Sequence, residues 1–221
     1  MADYAKRYRN LFDQFGLPLS ESNGLSDSTI QKVADKLGCH IPRALADYYL
    51  VAGKLRRMNT GFHRFLPPKL WTVSENQLVF LAENQSVCHW GVSVRSKRIQ
   101  NPTITQGINH DGEWEWHATD NKCFEFISIV LHYQAVNRGF RYRASAESPP
   151  DSYERLRDNG WKYAGELDGI WAFHKQNQVI CILDGSGLPF MPNMLLMAAA
   201  KTKKDLAIIE SSLEIPLKPK S

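Results

Sequence analysis

The sequence predicts an α+β fold in which helices cover one side of an antiparallel sheet. Apolar residues recur at helical spacing through residues 1–53, whereas most later apolar runs come in pairs that short polar turns separate. No helix of crossover length separates the strands of these pairs, and hairpin connections produce antiparallel sheets. The chain has 221 residues, of which 43% are hydrophobic. This is enough for one core, so we expect a single domain over residues 1–221.

Three helices are predicted before the first strand. An apolar stripe of tyrosine, leucine and phenylalanine predicts a helix over 3–15, which Gly16 and Pro18 end. Ser26 is a good N-cap for a second helix, and Gly38 is placed to end it. A third helix is expected from Pro42 to Gly53, whereas the basic stretch over 54–69 is expected to be an irregular loop.

Two hairpins are predicted in the middle of the chain. Each has apolar or alternating strands on either side of a polar turn that is rich in Asn, Asp, Gly or Glu. The strands are expected over 78–82 and 87–94, and over 103–108 and 113–117.

The remaining elements are predicted from the same patterns. A helix with one apolar face should follow Asp120 and close at Gly139, and Thr202 with Asp205 resembles a capping box that opens a last helix. We expect a linker over 140–150 and a frayed tail over 216–221. The elements expected between them are a short helix over 151–159 and strands over 161–164, 170–174 and 179–183.

The composition favours a cytoplasmic protein that binds neither membranes nor nucleic acid. The net charge is +4, without the dense basic footprint of nucleic-acid binders. No signal peptide and no apolar run long enough to cross a membrane are found. The four cysteines (Cys39, Cys88, Cys123 and Cys181) are widely spaced, which indicates reduced core thiols rather than disulfides or a zinc site.

The motifs of common enzymes are absent, so no catalytic residue, metal or cofactor is expected. There is no phosphate-binding loop, nucleophile elbow or zinc-protease motif, and the glycines at 185 and 187 lack the lysine and helix that a phosphate cradle needs. A metal site at His110, Asp111 and His117 is the alternative to their being surface residues of the hairpin, but no further ligand is evident. Cys88 and His89 are neighbours on a strand, which places their side chains on opposite faces.

One strand combines carboxylates with tryptophans. Glu113 and Glu115 share one face, while Trp114 and Trp116 share the other. A half-buried strand with its tryptophans inward is one interpretation. The other is an acidic face that a basic partner recognises, which would run against the basic average of the chain.

The sequence over 30–139 resembles the SUKH superfamily, which includes fungal Smi and Knr cell-wall regulators and many bacterial immunity proteins. The first matching pattern is Leu37-Gly38-Cys39-His40-Ile41-Pro42 followed by Leu45, Tyr48 and Tyr49. The second is Glu83-Asn84-Gln85 followed by Trp90-Gly91-Val92, and the third is Trp116 followed by the apolar segment from Phe124 to Leu131.

The resemblance implies a fold of N-terminal helices on a curved, mainly antiparallel sheet, with a core over 1–139. Residues 140–221 are then expected to be an extension of hairpin strands and a helix that packs on the same body. The implied function is that of a bacterial immunity protein, which is not an enzyme and neutralises a cognate polymorphic or contact-dependent toxin of the nuclease or deaminase class. A regulatory scaffold that binds client proteins inside the cell is the alternative.

Candidate toxin-binding residues follow from the composition of tight interfaces, which combine aromatic anchors with complementary charges. The anchors are Trp71, Trp90 and Trp114, although burial in the core is the alternative for each. The electrostatic candidates are Glu83, Asp111, Glu113 and Glu115. Asn84 and Gln85 are candidates together with Glu83, because the three residues form one turn. The alternative for this turn is structural, since its carboxylate and amide side chains can hydrogen-bond the loop backbone and fix the hairpin.

Two further expectations concern partners. The partner is expected to be a cognate protein toxin, and the chain itself a monomer or weak dimer. Because immunity proteins against nucleic-acid enzymes are commonly acidic, the basic chain requires either a local acidic patch or a different kind of toxin. Nucleic-acid binding is the remaining alternative, through Lys54, Arg56, Arg57, Arg64, Arg95, Lys97 and Arg98.

Overall fold

A computed structural model describes residues 3–95, 99–184 and 194–220 of the chain. Over these residues the chain forms seven α-helices, with short 3-10 turns at Glu21–Asn23 and Pro68–Leu70 and a π-helical turn at Ala135–Gly139. The α-helices are α1 (Tyr4–Gln14), α2 (Asp27–Leu37), α3 (Arg43–Ala52), α4 (Arg56–Asn59), α5 (Cys123–Gln134), α6 (Ser152–Asp158) and α7 (Lys203–Leu213).

The described residues also form twelve strands, and all of their pairings are antiparallel. The strands are β1 (Arg64–Phe65), β2 (Thr72–Ser74), β3 (Gln77–Ala82), β4 (Cys88–Ser93), β5 (Thr103–His110), β6 (Glu113–Lys122), β7 (Tyr142–Glu147), β8 (Lys162–Leu167), β9 (Ile170–Lys175), β10 (Gln178–Leu183), β11 (Leu195–Ala200) and β12 (Lys218–Pro219). The predicted α+β class is therefore confirmed.

The chain divides into two compact units. The first contains residues 1–9 and 19–127, and the second contains residues 10–18 and 128–221. Each unit has its own six-stranded sheet, so the C-terminal strands form a separate sheet rather than lengthening the first one. The boundary at 127 falls twelve residues before the one that we expected at 139. The prediction of a single domain stays a prediction.

The first sheet is a meander of β3, β4, β5 and β6, to which β1 and β2 add at β3. Aromatic side chains of α1, α3 and β1 pack together in this unit. The rings of Tyr8, Tyr48 and Phe65 form a chain of contacts with centroids 5.4 and 4.8 Å apart. The Tyr8 hydroxyl donates to the carbonyl of Ala44, and the Tyr48 hydroxyl hydrogen-bonds the side chain of Asn59. Burial of these rings removes apolar area from water and stabilises this unit.

The second sheet has the strand order β12-β7-β11-β10-β9-β8. The inward residues of its strands meet the apolar face of α7, where Ile209 and Leu213 are buried. In the same unit, His132 of α5 contacts His174 of β9, with His132 Nε2 2.9 Å from His174 Nδ1. The ring of Phe15 packs edge-on against that of His132.

The predicted helix ends are confirmed in detail. The Ser26 hydroxyl accepts a hydrogen bond from the backbone of Thr29 at the start of α2, and Gly38 ends that helix at a φ of 61°. The Thr202 hydroxyl accepts from the backbone of Asp205 at the start of α7. These caps satisfy backbone groups that have no partner within the helix.

Three predictions about irregular segments are wrong. The predicted linker over 140–150 contains β7, which pairs along its whole length with β11. The tail is ordered at β12, where Lys218 and Pro219 pair with β7. The basic stretch over 54–69 contains α4 and β1. For β1, β7 and β12, pairing with neighbouring strands stabilises a segment whose own sequence pattern is weak.

Candidate protein-binding surface

The hairpin of β5 and β6 is built on a two-residue turn. Asp111 and Gly112 have φ values of 53° and 100°, as a type I′ turn requires. The Asn109 side chain accepts a hydrogen bond of 2.7 Å from the backbone of Gly112 and holds the turn closed. Because the turn fixes the register, Trp114 lies opposite Asn109, and Trp116 lies opposite Gly107.

The turn between β3 and β4 is fixed by a carboxylate. Glu83 Oε2 accepts hydrogen bonds from the backbone of Gln85 at 2.7 Å and of Val87 at 3.4 Å. Arg64 Nη2 donates to the Ser86 hydroxyl at 2.7 Å and ties β1 to the same turn. Glu83 therefore has the structural role that we named as an alternative, whereas Asn84 and Gln85 are exposed.

The two turns lie at the same end of the first sheet, because β4 pairs with β5 in antiparallel register. The backbone of Asn109 donates to the Val87 carbonyl at 3.1 Å, which links the two turns directly. The structure therefore brings the predicted residues of the Glu83 turn together with Asp111 and Glu113. We call this region the turn end, meaning residues 83–87 and 109–113.

One face of β6 carries an aromatic surface that we call the indole face, formed by His89, Trp114 and Trp116. The Trp114 ring stacks on His89 with centroids 4.2 Å apart and an interplanar angle of 12°. The Trp116 ring lies over Gly107, where an added Cβ would come within 3.0 Å of three ring atoms. Both tryptophans are half-buried, so part of each indole stays accessible to a partner.

The opposite face of β6 carries what we call the acidic row, formed by Glu113, Glu115 and His117. Glu115 lies 3.3 Å from His117 Nε2 and 3.6 Å from His110 Nε2, and its side chain is 62% exposed. Among the described residues, no group of three or more His, Cys, Asp or Glu side chains is placed to hold a metal ion. The geometry gives β6 one aromatic face and one charged face.

Two of the predicted anchors are not available to a partner. Trp71 and Trp90 are only 4% and 5% exposed. Trp71 packs edge-on against Tyr49 and donates through Nε1 to the Leu66 carbonyl, and Trp90 packs against Phe126. Their burial favours the alternative that we named for both anchors, in which the rings fill space in the core.

Sequence reasoning left two residues of the indole face out of the predicted site. Trp116 lies on the same strand face as Trp114. Its alternation with Glu115 in the sequence could have indicated that it belongs to the site. His89 lies beside Trp114 only because β5 places β4 and β6 on its two sides, which no local pattern reveals. Burial, with a further contribution from Arg64, lowers the pKa of His89.

The remaining candidates are the cysteines and the basic residues. Cys123 and Cys181 are buried, and burial raises the pKa of both thiols, whereas Cys39 and Cys88 are half-buried. Lys97, Arg98 and the predicted turn over 185–187 lie outside the described residues. The described residues include the other basic candidates of the nucleic-acid alternative, which are Lys54, Arg56, Arg57, Arg64 and Arg95.

A separate surface between α2 and α3 is an open groove of about 900 Å³. Ile30 and Ile41 line it, and Asp27, Asp35 and Arg43 contribute charge. The groove contains none of the residues that we predicted to bind a partner.

Over residues 3–95, 99–184 and 194–220, no helix combines the length and the apolar character that a membrane span requires. Comparisons of the chain with protein-family models, with curated proteins and with solved structures found no match.

Proposed function

We propose that this protein is a non-enzymatic immunity protein of the cytoplasm that binds a cognate protein toxin and neutralises it stoichiometrically. The toxin class that we propose is a polymorphic or contact-dependent nuclease or deaminase. The single observation that carries the proposal is strand β6, which presents half-exposed indoles on one face and exposed carboxylates on the other.

The indole face has the composition of an interface centre. Tryptophan is enriched among the residues that dominate binding energy, because a large rigid ring loses little entropy when it is covered. Trp114 and Trp116 lie with their centroids 6.3 Å apart, so one partner side chain can contact both rings. Covering them would remove apolar area from water, and each Å² removed gives about 25 cal/mol of favourable transfer free energy.

The acidic row has the composition of an interface rim. Exposed carboxylates add little to affinity in water, but they steer a basic partner and set its orientation. Asp111, Glu113, Glu115 and Asp120 lie close together in the sequence, with Lys122 as the only lysine or arginine from Thr103 to Lys122. A local patch of this kind fits a basic toxin in spite of the net charge of +4.

Co-expression with a toxin tests the proposal. Cells that express the toxin domain encoded beside this gene should stop growing, and the intact chain should restore growth and co-purify with the toxin. Trp114→Ala should weaken protection. Tyr163→Ala is the matched control, because Tyr163 is an aromatic residue of the second unit with 48% exposure and should leave protection unchanged.

Two results would contradict the proposal. One is growth arrest that the intact chain does not relieve although both proteins are expressed and folded. The other is capture of several host proteins with no protection against the toxin. That result would favour the regulatory scaffold that the resemblance to fungal Smi and Knr regulators implies.

A further inference from the structure

The outer edge of β6 has no partner strand in the described part of the chain, where β6 pairs only with β5. The other edge strands are short or irregular. β1 has two residues, β2 has three and β12 has two, while β8 has a register shift between Tyr163 and Gly165. β6 has ten residues and pairs regularly with β5 from Glu113 to Ala118, before a register shift between Thr103 and Thr105 of β5. This is the longest regular stretch among the edge strands of the described residues, and long edges are templates for the addition of another strand.

The register identifies which backbone groups face outward. A two-residue turn makes His110 and Glu113 the closing hydrogen-bonded pair, and bonded and non-bonded pairs then alternate along the hairpin. The backbone N–H of Asn109 bonds the Val87 carbonyl on the other side of β5, so Asn109 does not bond its opposite residue, Trp114. The N–H and C=O groups of Trp114, Trp116 and Ala118 therefore point to the open edge.

The charge of the hairpin selects the kind of strand that fits. Residues 103–122 contain four carboxylates and one lysine. Pairing of two copies of this chain along β6 would bring eight carboxylates together against two lysines, because each copy contributes the same set. Like charges on neighbouring strands are destabilising, whereas opposite charges stabilise the pair. The edge therefore favours a basic strand over a second copy.

We propose that a segment of the toxin adds to this edge as an extra β-strand with alternating basic and apolar residues. This inference rests on the proposed function and names the partner element that it requires. The added strand would bond the backbone groups of Trp114, Trp116 and Ala118. Its apolar side chains would cover the indole face, and its arginine or lysine side chains would lie beside Glu113 and Glu115.

The first experiment uses a capped peptide that alternates arginine and valine, with a peptide that alternates glutamate and valine as control. Hydrogen exchange of the full chain is followed by NMR. The amides of Trp114, Trp116 and Ala118 should exchange quickly in the protein alone and slowly with the basic peptide. The amides of Glu113, Glu115 and His117 should be protected in both states. Unchanged exchange at the three outward amides with saturating basic peptide would overturn the proposal.

The second experiment removes one outward donor. Ala118→Pro deletes an N–H that bonds nothing in β5, and proline is tolerated at such edge positions. It should weaken binding of the basic peptide by about tenfold or more, whereas Ala118→Ser, which keeps the N–H, should change it by less than about twofold. Thermal melting confirms that both variants fold. Equal affinity of the two variants would contradict the role of the edge.

Further results separate this inference from the proposed function. If the toxin binds the intact chain and Ala118→Pro equally well, the immunity function stands and the strand addition is wrong. If the peptide binds at the edge but no toxin is neutralised, the strand addition stands and the immunity function is wrong. A dimer in sedimentation that Ala118→Pro abolishes would show that a second copy occupies the edge and would overturn the basic partner.

Discussion

Buried tryptophans of this protein differ in whether their indole N–H is satisfied. Trp71 donates its N–H to the Leu66 carbonyl at 2.9 Å. Trp90 has a buried Nε1 for which the described residues offer no hydrogen-bond partner. A buried donor without a partner costs about 1–3 kcal/mol, whereas a satisfied donor contributes about 1 kcal/mol.

We therefore expect Trp71→Phe to destabilise the protein more than Trp90→Phe, by about 1 kcal/mol or more. Both changes remove the same atoms from a buried site, so the cavity terms are comparable. Denaturant unfolding followed by circular dichroism measures both. A larger loss for Trp90→Phe would show that ring packing, rather than the indole N–H, decides these positions.

The histidine pair of the second unit links stability to pH. Burial, with a contribution from His174, lowers the pKa of His132 to about 3. Burial, with a contribution from Lys162, lowers the pKa of His174 to about 4. His132 Nδ1 lies 2.7 Å from the Ser128 carbonyl, which only accepts, so Nδ1 carries the proton and Nε2 accepts from His174.

Because these pKa values are lower in the folded than in the unfolded chain, both rings contribute stability above pH 6.5 that is lost as the pH falls toward 4. The unfolding free energy of the intact protein should therefore decrease between pH 7 and pH 5. His174→Gln keeps an amide that can donate to His132 but removes one titrating group. Its thermal melting temperature should decrease less over the same interval, and an equal decrease would contradict this linkage.

At the scale of single elements, the β5–β6 hairpin depends on its turn. Gly112 has a φ of 100°, where an L side chain is strained although nothing lies within 4 Å of its added Cβ. Gly112→Ala should cost about 1–2 kcal/mol of unfolding free energy. Asp111→Asn should be neutral, because asparagine also suits a type I′ turn. Denaturant unfolding would contradict the turn assignment if both variants matched the intact protein.

The last helix depends on its cap. Thr202 Oγ1 accepts from the Asp205 backbone at 3.0 Å and donates to its carboxylate at 2.7 Å. Thr202→Ala should cost about 1 kcal/mol, whereas Thr202→Ser should retain most of the stability. Unfolding monitored by near-ultraviolet circular dichroism tests this, and equal losses for the two variants would show that the hydroxyl does not cap the helix.

Elements with local signals were predictable from the sequence, and elements that depend on neighbours were not. The helices with caps and the hairpins with polar turns were found because their patterns are contained within a few residues. β11 reads LLMAAA, which favours a helix by propensity, but it is buried between β7 and β10, which pair with both of its edges. β7 alternates small and polar residues and is a strand because β11 and β12 flank it.

The binding surface was predictable to a similar extent. Strand alternation correctly placed Glu113 and Glu115 on one face of β6 and Trp114 on the other. The polar residues of the turn before β6 were also identified from the sequence. Burial of Trp71 and Trp90 was foreseen only as an alternative, since it depends on rings contributed by Tyr49 and Phe126. Sequence periodicity identifies the face of a strand but not which face the helices cover.

At the scale of the whole molecule, charge is distributed unevenly. The chain carries +4, and residues 103–122 carry −3, from four carboxylates and one lysine, so the rest of the chain carries +7. A basic partner is therefore attracted to one hairpin and repelled by the average surface. This contrast favours orientation more than affinity.

Salt should reveal this contrast. Glu113→Gln with Glu115→Gln removes two exposed charges and should leave the melting temperature nearly unchanged. Raising the salt concentration should weaken binding of the arginine–valine peptide to the intact protein more than to this double variant, because screening acts on the removed charges. Isothermal titration calorimetry provides both affinities. Parallel salt dependences would show that the acidic row does not attract the peptide.

The stacked rings of His89 and Trp114 have a practical consequence. An indole in contact with an imidazole changes its light emission when its surroundings change, so occupation of the adjacent edge should alter intrinsic fluorescence. Burial lowers the pKa of His89, which favours the uncharged ring. Subtracting the spectrum of a Trp114→Phe variant isolates this fluorophore from the other five tryptophans, so the surface contains its own label-free optical reporter.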